Sequence, residues 1–406
     1  MFEPDSHERN LLARVSLDHC VKCTICETQC PVAAVTPLFP GPKAIGPQAE
    51  RFRAGKSVDR SIDYCSSCGT CTLVCPQGVL VAEMNSAARA AMKARAMPLR
   101  DQLISRTVLM GRLLTPLAPL ANAGLRWRWT RVVMEKVLGI HRDAAMPTAR
   151  RRTFSGWWKR HRAPAKGAWR GQVVFFSGCA GNYFEVETSV AAVEVLERLG
   201  FEVIVPDQGC CGLALQSNGL YDAARGCVRK LASALSAAGG GVPIVSTAGS
   251  CAGMVKHEAR EILGVEDEVL AEVGARTREF SEFLLEVGDL PELGRIEKRV
   301  AYHAPCQVRG QGMGSPAVTL LRMIPGLEVV ESTAACCGMA GTYGVKKEKH
   351  AIAMAVGESV FSLVRDVNPE LGVCDTETCR WHIAKATGAQ MVHPAVLLRE
   401  ALSCVT

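Results

Sequence analysis

From residue 171 onward, short apolar runs alternate with longer helix-like stretches. Val173-Val174-Phe175-Phe176, Glu202–Val205, Pro243–Ser246, Arg299–Tyr302, Leu327–Val330 and Leu371–Val373 are short and rich in β-branched or aromatic residues, and they predict buried strands. Val186–Leu199, Tyr221–Ala234 and Lys349–Val364 are helix-like and separate several of them, so βαβ units and parallel sheets are expected. Nearer the start, the alanine-rich stretch Asn85–Ala96 predicts a helix. Leu103–Leu125 is apolar and periodic, but Pro116 and Pro119 interrupt it and Arg106 and Arg112 charge it. Its charge-free run, Leu113–Leu125, has 13 residues and is too short to span a bilayer.

The strand-like runs of the second half belong to an internal repeat. A strand followed by cysteine occurs at Cys179 and again at Cys306, 127 residues on. Cys210-Cys211-Gly212 returns as Cys336-Cys337-Gly338 after 126 residues, and a third strand-end cysteine, Cys251, returns as Cys379 after 128. Three landmarks at nearly constant offset imply two homologous α/β halves related by pseudo-two-fold symmetry. Ligand sites in parallel α/β sheets form beyond the carboxyl ends of the strands, where these cysteines are expected. Neighbouring side chains diverge, so adjacent cysteines chelate one tetrahedral metal poorly but can bridge irons of a polynuclear cluster. Gly212 and Gly338 would then let the backbone turn tightly against inorganic sulfur. Cys227 and Cys404 fall outside the repeat and are expected to be ordinary buried cysteines.

Near the start stands a second repeat. Cys20-x₂-Cys23-x₂-Cys26-x₃-Cys30-Pro31 recurs, spacing for spacing, as Cys65-x₂-Cys68-x₂-Cys71-x₃-Cys75-Pro76. Two such runs are the ligand set of a pair of [4Fe–4S] clusters, the fourth thiolate of each run ligating the other cluster. One cluster is therefore expected on Cys20, Cys23, Cys26 and Cys75, the second on Cys65, Cys68, Cys71 and Cys30. Structural zinc and disulfides fit the doubled four-cysteine run less well. The 34 residues between Cys30 and Cys65 include Pro37, Pro40, Pro42 and Pro47 and predict an extended loop. With the helix-forming flank, this predicts a mainly α-helical ferredoxin-type unit.

Composition sharpens the picture. The 406 residues include 19 cysteines, and the opening Met1-Phe2-Glu3-Pro4-Asp5 is acidic and polar, so no secretory leader and few disulfides are expected. The net charge of +7 hides an asymmetry: residues 89–170 hold 19 Lys/Arg against Asp101, Glu135 and Asp143, a local +16 that leaves the remainder at −9. Five of the six tryptophans fall between 127 and 169, interleaved with cations. A basic, Trp-rich block suits an anionic membrane surface or an acidic partner subunit. No nucleic-acid module accompanies the charge, and no nucleic-acid partner is expected. The expected organisation is multi-domain: a two-cluster unit over 1–88, a basic helical linker over 89–170, and two repeated α/β cysteine-rich halves with parallel sheets over 171–297 and 298–406.

The constellation Cys179, Cys210, Cys211, Cys251 and its repeat Cys306, Cys336, Cys337, Cys379 resembles the cysteine-rich "CCG" domain of heterodisulfide reductase subunits and of iron–sulfur subunits of membrane-linked dehydrogenases. Complete copies of that domain follow C…CCG…CxxC and can hold a non-cubane [4Fe–4S] cluster. Here Ala248 and Thr376 stand where the first cysteine of CxxC belongs. Cys374 could deputise in the second half if the chain is still extended there. The resemblance thus implies a further non-cubane cluster in the second half, and a cluster, a zinc ion or nothing in the first. Gly41-Pro42-Lys43, Gly46-Pro47 and Glu50-Arg51, the run Cys336–Glu348, Glu377-Thr378-Cys379-Arg380-Trp381 and the segment Thr107–Pro119 are similar to the C-subunit family of anaerobic glycerol-3-phosphate dehydrogenases. That family implies an electron-transfer chain, not itself catalytic, that takes electrons from flavoprotein dehydrogenase subunits. It would pass them towards membrane quinone from a peripheral position on the cytoplasmic face of the inner membrane. The alternatives are the iron–sulfur subunit of a lactate or glycolate oxidase, and a heterodisulfide-reductase-like catalytic subunit.

Three features near the second cysteine set carry expectations of their own. His303, three residues before Cys306, is the best-placed proton donor for quinone chemistry, although a neutral core histidine is the simpler expectation. Lys346 and Lys347 follow a glycine-rich turn and are expected to be solvated; facing the cysteines, they would instead raise the potential of a cluster held there. Gly310-x-Gly312-x-Gly314 lacks dinucleotide-binding spacing and is expected to be a loop beside Cys306.

Overall fold

A computed structural model describes residues 15–53, 59–94, 97–163 and 169–404. Among these residues no strand precedes Gly171, and the N-terminal unit is built from short helical turns around its cysteines. Its longest helix, Val81–Lys93, contains most of the expected Asn85–Ala96 helix and runs through residue 88; residues 95 and 96 lie outside the described residues.

Beyond residue 170 the chain forms two four-stranded, wholly parallel sheets. The first comprises β1 (Gly171–Phe176), β2 (Phe201–Ile204), β3 (Ile244–Ser246) and β4 (Thr277–Glu279) in the order β2-β1-β3-β4. The second comprises β5 (Lys298–His303), β6 (Leu327–Ser332), β7 (Leu371–Val373) and β8 (Met391–Val392) in the order β6-β5-β7-β8. The topologies are identical, and β1 and β5 share one pattern: an open start followed by four buried residues. Burial on both faces explains why these strands read as continuous apolar runs.

One core joins the two halves. Phe175, Leu196, Phe280 and Phe283 of the first pack with Tyr302, Leu320, Leu397 and Leu398 of the second. Helix Val186–Arg198 lies along helix Pro394–Ser403, where Arg399 reaches both Glu187 and Glu194. Trp157 and Trp158 press against the same core, and Trp157 stacks on His161 at 4.2 Å. The tryptophans of the basic block therefore divide, because Trp127, Trp129 and Trp169 stay exposed.

The linker wraps this body with helices Leu99–Ile104, Thr107–Leu114, Ala118–Arg126 and Arg128–Leu138. Among the described residues no single helix is long and apolar enough to cross a membrane. Thr107–Leu114 and Ala118–Arg126 meet the length and composition only as a pair, bent by 107°. Gly111 lets the first of these lie on Tyr183, for a Cβ there would sit 2.4 Å from the ring. Cys227 is half-buried in the first half's core, whereas Cys404 is exposed, contrary to expectation, because the C-terminal helix ends beside it at Ser403.

Candidate iron–sulfur sites

The two cysteine runs near the start each wrap a short helical turn, and their members sort into two groups. Cys20, Cys23, Cys26 and Cys75 line one pocket. Burial pushes the Cys26 thiol up, and the sulfurs of Cys75, Cys20 and Cys23 around it add to the rise. Cys30 crosses to the other group: burial pushes its thiol up to about 12, with Cys68 and Cys65 as charged neighbours. Cys71, also raised by burial, faces Cys65, Cys68 and Cys30. Thr24 and Gly69, each two residues before the third cysteine of its run, hold left-handed backbone (φ 69° and 79°), so both runs start their turn alike.

In both α/β halves every repeated cysteine stands just past the carboxyl end of a strand. In the first half Cys179 opens the helix after β1, Cys210 and Cys211 follow β2, and Cys251 follows β3. Cys211 Sγ meets Cys251 Sγ at 3.3 Å, and Cys179 hydrogen-bonds Cys210. The second half repeats this: Cys337 meets Cys379 at 3.0 Å and Cys306 hydrogen-bonds Cys336. The N–H of Gly212 donates to Cys210 Sγ at 3.3 Å, and that of Gly338 donates to Cys336 Sγ at the same distance. Donors gathered on one sulfur favour its thiolate. The Cys179 and Cys211 thiols with the Gly212 N–H hold Cys210 well below the ordinary thiol range, and Cys306, Cys337 and Gly338 do the same for Cys336. Cys374 lies fully buried at the end of β7, its N–H bonded to Val392, and its sulfur hydrogen-bonds Cys379. The ladder hydrogen bond thus still runs at residue 374, the condition under which Cys374 could deputise in the second set. Ser246 holds the corresponding strand end in the first half.

These donor sets suit iron and sulfide. Each gathers thiols, all but Cys23 buried or half-buried, whose near neighbours are mainly other thiols and backbone N–H groups, the donors that ligate and tune such clusters.

The glycines after the paired cysteines make the expected tight turn, left-handed in both, and carry a packing role as well. Gly212 and Gly338 adopt φ of 88° and 87°, and the space a Cβ would occupy is filled by the backbone of a later helix, Ala224 O of Tyr221–Ala237 at 2.8 Å and Ala353 O of His350–Val367 at 1.9 Å. Each glycine thereby seats that helix.

What covers the two sets differs, and no local sequence signal marks it. Over the first half lies the linker: Thr107 Oγ1 donates to Cys179 Sγ at 3.1 Å. Against the second half lies the N-terminal unit. Cys30, Val32, Phe39, Ile45 and Ile62 form one buried cluster with Cys336, Tyr343 and Ile352, joined at its edge by Cys65 and Cys306. Burial pushes the Cys68 thiol up, and the Cys336 sulfur beside it adds to the rise; Cys306 feels Cys68 in turn.

The run Cys336–Lys349 is the dock for this contact. Tyr343 OH donates to the Tyr64 carbonyl, next to Cys65, at 2.9 Å. Lys346 is buried, not solvated, and its amine reaches Asp101 Oδ2 at 2.9 Å and Asn218 Oδ1 at 2.7 Å, so it does not face the cysteines either. Lys93 bridges Asp101 (2.7 Å) and Asp63 (3.0 Å), and Lys349 pairs with Asp63 at 2.8 Å. Only Lys347 is exposed as expected. His303 is buried beside Cys337 and Cys379, and burial pushes its imidazole down to about 4, leaving it uncharged at neutral pH. His393 caps helix Pro394–Ser403 through Nδ1.

The fold and these sites define an iron–sulfur protein in which a dicluster ferredoxin unit is joined to a duplicated cysteine-rich domain. Residues 16–79 match the 4Fe-4S dicluster domain family, and residues 173–256 and 300–384 each match the cysteine-rich domain family. The chain is 35% identical over 394 residues to the C-subunit of the anaerobic glycerol-3-phosphate dehydrogenase of Escherichia coli K12, covering 96% of this chain and 99% of that one. It belongs to that C-subunit family. It is also 25% identical to the D-subunit of the heterodisulfide reductase of Methanosarcina acetivorans, over 91% of this chain and 89% of that one. Lactate utilization protein A 1 of Bacillus mycoides is 33% identical over 43% of this chain and 74% of its own length.

Proposed function

We propose that this chain is the electron-transfer subunit of a quinone-linked, membrane-associated dehydrogenase complex whose flavoprotein subunits oxidise glycerol 3-phosphate. Iron–sulfur clusters would accept and release electrons singly. Cys20, Cys23, Cys26 and Cys75 would hold one [4Fe–4S] cluster and Cys65, Cys68, Cys71 and Cys30 the other. Cys306, Cys336, Cys337 and Cys379, with Cys374 beside them, would hold a third, non-cubane one. Cys179, Cys210, Cys211 and Cys251 form a smaller set, without a counterpart of Cys374, for a cluster or a zinc ion.

The observation that carries this reading is the apposition of Cys68 with Cys306 and Cys336. It puts the second ferredoxin-type set in buried contact with one cysteine-rich half, while Thr107 and its helix cover the other. Cys68→Ser should cut most of the glycerol 3-phosphate-dependent quinone reduction of the assembled complex, leaving the flavoprotein's reduction of an artificial dye intact. Unchanged quinone reduction would remove the relay.

Membrane attachment has its own support. Leu113, Leu117, Leu120, Trp127 and Trp129 are all more than half exposed, and Arg112, Arg126 and Arg128 lie among them. Indole with arginine suits the headgroup layer of an anionic bilayer, here at the cytoplasmic face of the inner membrane. Replacing both Trp127 and Trp129 by alanine should release the protein from sedimenting phosphatidylglycerol-containing vesicles. Equal retention would assign the patch to a partner protein.

A further inference from the structure

We propose that His303 is an iron ligand of the second cysteine-rich half, so that its centre is bound by thiolates and one imidazole. This rests on the reading that the second half holds a cluster.

His303 ends β5 at 2% exposure, and among the described residues neither ring nitrogen has a hydrogen-bond partner. A buried imidazole has one donor and one acceptor to satisfy, and leaving both unmade is costly. One ring nitrogen lies within 4.8 Å of both Cys337 Sγ and Cys379 Sγ, which are themselves 3.0 Å apart. Two ligands on one tetrahedral ion, at about 2.0 Å for nitrogen and about 2.3 Å for sulfur, stand about 3.5 Å from each other. The three atoms thus approach the spacing of ligands on a single metal.

The duplicated fold supplies an internal comparison. At the pseudo-symmetric position, the last residue of β1, stands Phe176, fully buried in the first half's core. An apolar ring satisfies the same place in the fold, so packing does not call for an imidazole. The difference between Phe176 and His303 sits at the cysteine set that the N-terminal unit touches. The bond formed is a dative one from the lone pair of neutral imidazole to iron; the other nitrogen keeps its proton, and no electron is transferred. The second half would then offer Cys306, Cys336, Cys337, Cys379 and His303, with the imidazole in place of the Cys374 thiolate, giving its centre a less anionic ligand set than five thiolates.

The test is pulsed EPR on anaerobically purified full-length protein grown with 15N-histidine, beside His303→Phe, which installs the first half's residue. The expected result is a strong, directly bound nitrogen coupling on the signal that Cys337→Ser abolishes. His303→Phe should remove the coupling and shift that signal's g-values, with the ferredoxin-type signals unchanged as a check on folding. A second-half signal without strong nitrogen coupling, or coupling that survives in His303→Phe, overturns the ligand and leaves the cluster reading standing. Iron near eight per chain with no Cys337-dependent signal would overturn both, since a third cluster adds about four irons.

Discussion

Asp101→Asn is expected to cost about 3–5 kcal/mol of stability, the range for breaking a buried ion pair from one side. Asp101 is fully buried and is the carboxylate that Lys93 and Lys346 share. Lys93 would keep Asp63, but Lys346 would be left with Asn218 alone. Burial by itself would push the Asp101 carboxyl up; Lys346 and Lys93 outweigh it and hold the group well below the usual carboxylate range. Asp63 is held down in the same way by Lys349 and Lys93. A depressed carboxylate stabilises the fold above its unfolded pKa of about 3.9 and loses that contribution as pH falls through the folded value. The carboxylate side of the clasp should therefore be fully charged above about pH 4 and fail on acidification. Lys346 adds an opposite handle. Burial, with Lys349 and Lys93 nearby, pushes its amine down to about 6. In Asp101→Asn the amine would lose the anion that helps it hold its proton, so the destabilisation should be largest below that value and shrink as pH rises through it. Anaerobic denaturant titrations at pH 6 and pH 9 check this; an equal loss at both would show that Lys346 is not the group left stranded.

Gly338→Ala should be about as damaging, about 3–5 kcal/mol from left-handed backbone together with overpacking. At φ 87° its Cβ would fall 1.9 Å from the Ala353 carbonyl, so the helix His350–Val367 would have to move. That helix carries Ile352 and Val356 into the contact with the N-terminal unit. Gly212→Ala meets Ala224 O at 2.8 Å and should be milder. Comparing the two variants separates local strain from lost docking: Gly338→Ala should expose the 15–94 unit to limited proteolysis more than Gly212→Ala, whose helix meets that unit through Tyr221 and Ser86 at 2.9 Å. Equal protection in both would refute the docking role of this loop.

Much of the architecture was legible because both cysteine patterns are repeats. Six of the eight strands follow from apolar runs, with ends within two residues of those expected. The missed strands are β4, whose Thr277-Arg278-Glu279 shows no apolar run, and β8, two residues long. Cys374 could be named as a candidate because a strand's two-residue period carries past its last ladder pair. What could not be read was long-range. Lys346 looks like a surface lysine until Asp101, 245 residues away, arrives beside it. Thr107 touches Cys179 across 72 residues, and nothing local marks either residue for the other. The different covers of the two halves arise the same way, since near-identical folds receive different neighbours.

The central claim is that the cysteine sets of the N-terminal unit and of the second α/β half form one electron path through Cys68, Cys306 and Cys336. Magnetic interaction between the reduced centres, measured by EPR relaxation on an anaerobic preparation with iron and sulfide quantified, tests it most directly. The expected result is about twelve irons per chain, or more if the first half is also loaded, and a Cys337-dependent signal broadened by the centre on Cys30, Cys65, Cys68 and Cys71. A second-half signal that relaxes as an isolated centre, or its absence with about eight irons per chain, would contradict it.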